Sequence, residues 1–227
     1  MVMTYGVPVT YSGYSNLSLG WDDCVKACYS NINCIPFLSY TEPYWTLPTC
    51  PENFTLFSRE KGYWCLKLAL QDTCLDRNQS ITACANTYGG IMSGIENKEE
   101  FNFLADESIE LNKEISDGYA AYFLWVNGDR KSTCMPPKKQ SASCNGTNEF
   151  TFTDPTLSSN PQGYVWLDSQ PDGLEHPTTP PANCLCLKCN TNTFCGIDDC
   201  SCVSSSKTGS SGYCFKGYAC GVQLQLF

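Results

Sequence analysis

Seventeen cysteines in 227 residues constrain this chain more than any other feature. A load of that size means disulfides, and disulfides mean an oxidising compartment where thiols pair and stay paired. An odd count leaves at least one cysteine without a partner in the chain, either buried and inert or bridged to another chain. Four Asn-x-Ser/Thr sequons, at Asn16, Asn53, Asn78 and Asn145, point to the same compartment. All lie in polar, turn-like stretches and none has proline in the middle. They read as glycan acceptors, with plain polar turns as the alternative. Met1–Gly6 has neither a basic start nor an apolar run, so it is not a signal peptide. The expectation is a secreted, extracellular protein whose leader has been cut away.

Charge narrows the function. With 14 Lys+Arg against 23 Asp+Glu the net charge is −9, which argues against nucleic acid as a partner. The basic runs Arg130-Lys131 and Lys138-Lys139 are too short to change that. No stretch approaches the roughly 18–20 apolar residues of a bilayer span, so none is expected. His176 is the single histidine, which rules out multi-His metal sites and makes any Ser-His or Cys-His catalysis depend on one residue in a polar loop. Asp198 and Asp199 are sequence neighbours, not carboxylates facing each other across a cleft. Catalysis is not the expected class.

The chain has two textures. In residues 1–68, Leu19, Trp21, Val25 and Cys28 fall at roughly helical spacing, with Asp22 and Asp23 in the first turn, where acids suit the helix dipole. Cys24 and Cys28 point the same way from that helix, and Cys34, Cys50 and Cys65 follow in stretches rich in Tyr, Phe and Pro. A helix stapled by cystines onto a small sheet is the reading, because so short a unit needs covalent support. The run Tyr5-Gly6 … Trp21-x-x-Cys24-x-x-x-Cys28-x5-Cys34 resembles the PAN/apple-related (CW-type) module that precedes lectin domains in secreted nematode proteins.

Residues 69–227 read differently. Ser80 can cap a helix carrying Ile81, Cys84, Ala85 and Tyr88, which Gly89-Gly90 stops. Asn97-Lys98-Glu99-Glu100 leads into a second helix, with Phe101, Leu104, Ala105 and Ile109 on one side. Tyr122–Val126 reads as a strand ending in an Asn127-Gly128 turn, and Phe150–Asp154 alternates like another. Two early helices followed by short strands and long polar loops make an α+β domain.

This order resembles the C-type lectin-like domain. The pieces are Cys84-x4-Gly89-Gly90-x-Met92-Ser93-Gly94-Ile95-Glu96-Asn97-x-x-Glu100, Leu124–Gly128, Tyr164-Val165-Trp166 with Gln170-Pro171-Asp172, Asn183-Cys184-Leu185, Asp198-Asp199-x-x-Cys202 and Tyr218–Gly221. The resemblance implies a disulfide-rich α+β fold of two helices, short antiparallel sheets and a long loop region. It also implies the cystines Cys84–Cys220 and Cys184–Cys202. Cys134 and Cys144 flank a Pro-Pro-Lys-Lys loop and are expected to pair, and Cys65–Cys74 would be the hairpin cystine of the longer form. Cys186, Cys189, Cys195, Cys200 and Cys214 are extra and unassigned. For the first four of these, a four-thiolate zinc site is the alternative to oxidation.

Sugar-binding members of this fold hold calcium on side-chain oxygens that also bind two sugar hydroxyls. By resemblance, the ligands here are Gln170 and Asp172, flanking a proline that is cis in the family, together with Asp198 and Asp199 from a second loop. The Gln-Pro-Asp order is the galactose-type version. The family's Glu is Ala182 here, its Trp is Ile197, and Glu175 could supply the missing carboxylate. Calcium held through Asp172 and Asp199 would then bind weakly, nearer the millimolar end of extracellular sites. The implied function is carbohydrate recognition, on glycans or glycoproteins, in defence. The alternative is a calcium-independent extracellular protein-interaction module, with the odd cysteine available to a disulfide-linked partner. Trp125 and Trp166 read as core residues, because each sits in a strand-like apolar run.

Overall fold

The structure, a computed structural model, describes residues 49–135, 141–173, 180–189, 194–203, 205 and 212–224. The chain divides into two units, Met1–Leu47 and Pro48–Phe227. The expected helix carrying Cys24 and Cys28, together with Cys34, Asn16, Glu175 and His176, lies outside the described residues.

The second unit begins ahead of residue 69, where the sequence reading starts the lectin-like domain. β1 (Thr55–Arg59) and β2 (Gly62–Leu70) form an antiparallel hairpin, and β2 pairs along β8 (Tyr213–Gln223) from Trp64↔Gln223 to Leu70↔Gly217. Trp64, Cys65, Leu66, Leu68 and Ala69 are buried on both faces of β2. A strand covered on both sides belongs inside a large sheet, not at the edge of a small stapled module.

α1 (Arg77–Tyr88) starts before Ser80. Asp76 caps it, accepting from the Gln79 amide at 2.8 Å, while the Gln79 side chain accepts from the Asp76 amide. Ser80 is instead buried in the first turn, bonded to the Asp76 carbonyl. Gly89 ends the helix at φ 64°, a left-handed cap. α2 (Lys98–Lys113) is capped by Asn97 and buries Phe101, Leu104 and Ala105. Its first turn carries Glu99 and Glu100 and its last turn Lys113, each sign matching its end of the helix dipole.

β4 (Ala121–Arg130) runs straight through Asn127-Gly128, where a turn was expected. The Asn127 amide is buried and bonded to the Met92 carbonyl and to Thr153, so it is not a turn residue. Gly128 sits at φ 145°, where the register against β6 (Ala182–Cys189) shifts, and a Cβ there would collide with Leu185 Cδ1. The Asn-Gly pair is a bulge in a continuous strand, and the strand carries Arg130 into the interior.

The other strands are β3 (Ile91–Met92), β5 (Phe150–Thr151), β6 (Ala182–Cys189) and β7 (Cys195–Ser201). The order is β1-β2-β8-β4-β6-β7, with β3 on β8 and β5 on β4. The β4–β8 pair is parallel and the other pairs are antiparallel. One face packs Leu66, Ile95, Leu104, Leu124, Leu185 and Ile197. The other packs Trp125 on Phe215, with ring centroids 3.6 Å apart, beside Met92 and the Cys84–Cys220 bond.

Cys84–Cys220, Cys134–Cys144 and Cys184–Cys202 are bonded. The expected Cys65–Cys74 bond is replaced by Cys50–Cys65 and Cys74–Cys214. The sheet explains the change. Cys65 lies opposite Val222 near one end of β8, while the Leu75 amide bonds the Phe215 carbonyl near the other end, which sets Cys74 beside Cys214. Cys186–Cys200 and Cys189–Cys195 cross-link the β6–β7 hairpin, so the four thiolates of the zinc alternative are consumed in pairs. The Cys74–Cys214 and Cys84–Cys220 bonds close separations of 140 and 136 residues. In the chain-entropy model each contributes about 4–5 kcal/mol.

These bonds leave Cys24, Cys28 and Cys34 of the seventeen. The odd cysteine therefore falls in the first unit. Peptide mapping of denatured, unreduced protein should find any free thiol or external bridge among those three. A free thiol at Cys74 or Cys214 would overturn this framework.

Candidate functional site

The Gln170–Pro171 bond is cis, and Pro171 is buried while Asp172 faces solvent. The Asp172 amide donates to Gln170 Oε1 at 2.9 Å and to Asp199 Oδ1 at 3.0 Å. The Gly173 amide donates to Asp199 Oδ2 at 2.9 Å. Gln170 thus folds back on its own turn, and Asp199 reaches across from β7 to hold the turn by two backbone amides.

Asp198 is not part of this arrangement. Neighbouring residues on a strand face opposite ways, and Asp198 pairs with Lys188 at 2.5 Å across the β6–β7 hairpin. The structure therefore brings together Gln170, Asp172 and Asp199, leaves Asp198 on the other face, and leaves Glu175 outside the described residues.

Arg130 and Glu149, both central to the site, were not singled out in the sequence as site residues. Arg130 donates through Nη2 to Asp199 Oδ2, through Nη1 to Glu149 Oε2 and through Nε to the Ala182 carbonyl at 3.1 Å. All three charged side chains are fully buried. The Phe150 ring lies under the guanidinium at 4.8 Å and stacks on Trp166 at 5.9 Å. Arg130 reads in the sequence as half of a short surface basic run. Recognising that β4 continues through the Asn-Gly bulge would have placed it inside.

The donor set does not fit calcium. A calcium ion needs six to eight oxygens with unspent lone pairs. Of the about four acceptor sites of the Asp199 carboxylate, two backbone amides and the guanidinium take all but one, and Gln170 Oε1 already accepts the Asp172 amide. Where the resemblance would place a Glu, Ala182 offers its carbonyl to Arg130. A cation bonded to Asp199 repels a second cation at the same carboxylate. Burial pushes the Asp199 carboxyl up, against the pull of Arg130 and the Asp172 amide.

A second buried arginine cluster is built on Arg59 at the end of β1. Arg59 grips Glu100 with Nε and Nη2, both at 2.7 Å, and Asp154 with Nη1 at 2.8 Å. It also bonds Thr156, Ser93 and the Gly94 carbonyl, and it lies 4.6 Å from the Trp64 ring centre. Trp125 is fully buried with its Nε1 on the Leu75 carbonyl, and Trp166 is half-buried against Phe150, so both are packing residues. Asn53, Asn78 and Asn145 are exposed, as a glycan acceptor must be.

Residues 55–223 match the family model of C-type lectin domain-containing protein 141/158, and residues 1–42 match a PAN-like domain. No curated protein matches. Forty-five chains of known structure match. CEL-IV is 16% identical, covers 80% of this chain and 98% of its own, and has a TM-score of 0.49. Human lithostathine is 15% identical, covering 82% and 99%, at 0.47. The cow CD23 carbohydrate-recognition domain, whose structure was solved in the presence of a GlcNAc2Man3 oligosaccharide, is 16% identical, covering 79% and 100%, at 0.45.

Proposed function

We propose that this chain, which belongs to the C-type lectin domain family through residues 55–223, is a secreted glycan-recognition protein that works without calcium at the Gln170–Asp172 turn. The observation that carries this reading is the Arg130–Asp199 pair, which supplies internally the positive charge that calcium would bring. The fold is generally non-enzymatic, so the function is sought in binding. Its many disulfides fit an extracellular protein, and among the described residues no helix is long and apolar enough to cross a membrane. Recognition of microbial or self glycans in defence would follow from the ligand, not from this turn.

Calcium titration tests the reading. Up to about 10 mM, well above the weak extracellular range, wild type should show no saturable heat and no thermal shift. Its binding on a glycan array should be unchanged by chelator. Saturable calcium binding that disappears in Asp172→Ala and Asp199→Ala would restore the calcium-assisted, galactose-type mechanism. An array without any bound glycan would leave protein interaction as the function of the scaffold.

A further inference from the structure

We propose that the groove between the β1–β2 turn and the end of β4 binds the acidic group of a glycan, a sulfate or a carboxylate. The proposal rests on the glycan-recognition reading and gives it a place and a ligand class. The groove has a volume of about 410 Å³, and its lining includes Lys61, Lys131, Thr147, Phe152, Ser158 and Ser159.

Both lysines are placed by the buried arginines. β1 ends with Arg59 turned inward, and the turn that follows sets Lys61 at the rim, its Nζ donating to the Pro155 carbonyl at 3.2 Å and to the Leu157 carbonyl. β4 ends with Arg130 turned inward, so the next residue, Lys131, points outward, its Nζ donating to the Asn148 carbonyl at 2.6 Å. An ammonium group has three donors. Lys61 spends two on carbonyls and Lys131 one, which leaves donors on each.

The groove is locally positive in a chain of net charge −9. Neither lysine pairs with a carboxylate among the described residues. Asp154, the acid in the lining, is turned under and neutralised. Its Oδ2 accepts from Arg59 and from the Gly94 amide at 3.0 Å, and its Oδ1 accepts from Thr156. Charge-assisted bonds from ammonium to sulfate or carboxylate oxygens are the strong kind. The half-buried Phe152 ring, backed by Tyr164 at 5.1 Å, offers an apolar surface to a sugar ring. Thr147, Ser158 and Ser159 add polar lining for its hydroxyls. Both walls are fixed by buried ion clusters, so little ordering is needed on binding.

Calorimetry should use three probes: a heparin-derived sulfated disaccharide, 3′-sialyllactose, and lactose as the neutral control. Asn145 is exposed beside the turn that forms one wall, so Asn145→Gln protein is measured alongside wild type to remove a glycan at the rim. One or both acidic probes should bind while lactose does not, and raising salt to about 0.5 M should weaken binding by screening. Whichever acidic probe binds identifies the anionic group. Lys61→Gln/Lys131→Gln should weaken binding about tenfold or more. Lys61→Arg/Lys131→Arg, which keeps both charges, should retain it, and Lys113→Gln at the other end of α2 should change it less than about twofold. Unchanged affinity in the double Gln variant, or lactose binding as well as the acidic probes, overturns the groove assignment. If neutral glycans bind on an array without acidic preference, the groove fails and the glycan reading stands. If no glycan of any charge binds, both fail.

Discussion

Arg130→Met should lose about 3–5 kcal/mol of folding stability, read as a fall in denaturant midpoint, because removing one partner of a buried ion cluster leaves uncompensated charge in the interior. Two carboxylates are stranded, Glu149 and Asp199, each with a fully buried side chain. The loss is electrostatic in origin, since Met replaces most of the apolar volume. Arg130→Met/Glu149→Gln/Asp199→Asn should therefore recover most of it, as replacing a whole buried ion cluster is often nearly neutral. Calcium gives a sharper check. With the guanidinium gone, the stranded carboxylates accept an external cation, so calcium at about 10 mM should raise the melting temperature of Arg130→Ala and leave wild type unmoved. A loss below about 1 kcal/mol, the worth of an exposed pair, would sink the account of Arg130 as the cation that holds the turn.

The consequence for the turn is local. Asp199 holds the amides of Asp172 and Gly173 because Arg130 holds Asp199. The Asp199 carboxylate is a structural clasp on the turn. A turn clasped in this way by Asp199 and Arg130 needs no ion to keep its shape.

The readable parts of the sequence were those decided locally. Gly89 stops α1 and Asn97 starts α2 because caps depend on a few neighbouring residues. Ser80 misled because Asp76, four residues earlier, forms the fuller capping box with Gln79. The parts that stayed hidden were set by partners distant in sequence. Asn127-Gly128 has the sequence of a hairpin turn, yet Thr153 and Leu185 make it a bulge. Cys65 and Cys74 are close in sequence, but β2 separates them along the length of β8. Asp198 and Asp199 read as a ligand pair, and strand alternation sends one to Lys188 and the other to Arg130. In each case the pattern named the residues, and the sheet decided what they touch.

Arg59→Met should cost at least as much as Arg130→Met, about 3–5 kcal/mol, and its cost should depend on pH in a definite direction. Arg59 spends its donors on Glu100, Asp154, Thr156, Ser93 and the Gly94 carbonyl, and both carboxylates are fully buried. Burial already pushes the Glu100 carboxyl up in wild type, with Arg59 pulling it back. Removing the guanidinium removes that pull, so the folded-state pKa rises further above the unfolded value. A carboxyl raised in this way favours the folded state while it is protonated, and that advantage is lost as pH rises through the folded pKa. The stability gap between Arg59→Met and wild type should therefore be smallest in acid and widen towards neutral pH. Glu100→Gln added to the variant should flatten part of that dependence. A gap that stays constant with pH would assign the loss to packing against Trp64 instead, and the charge account of the cluster would fail. The variant should also loosen the groove wall, because Asp154 is held in place by Arg59. Faster hydrogen exchange at the Gly94 and Thr156 amides, both bonded to Asp154, would report it directly.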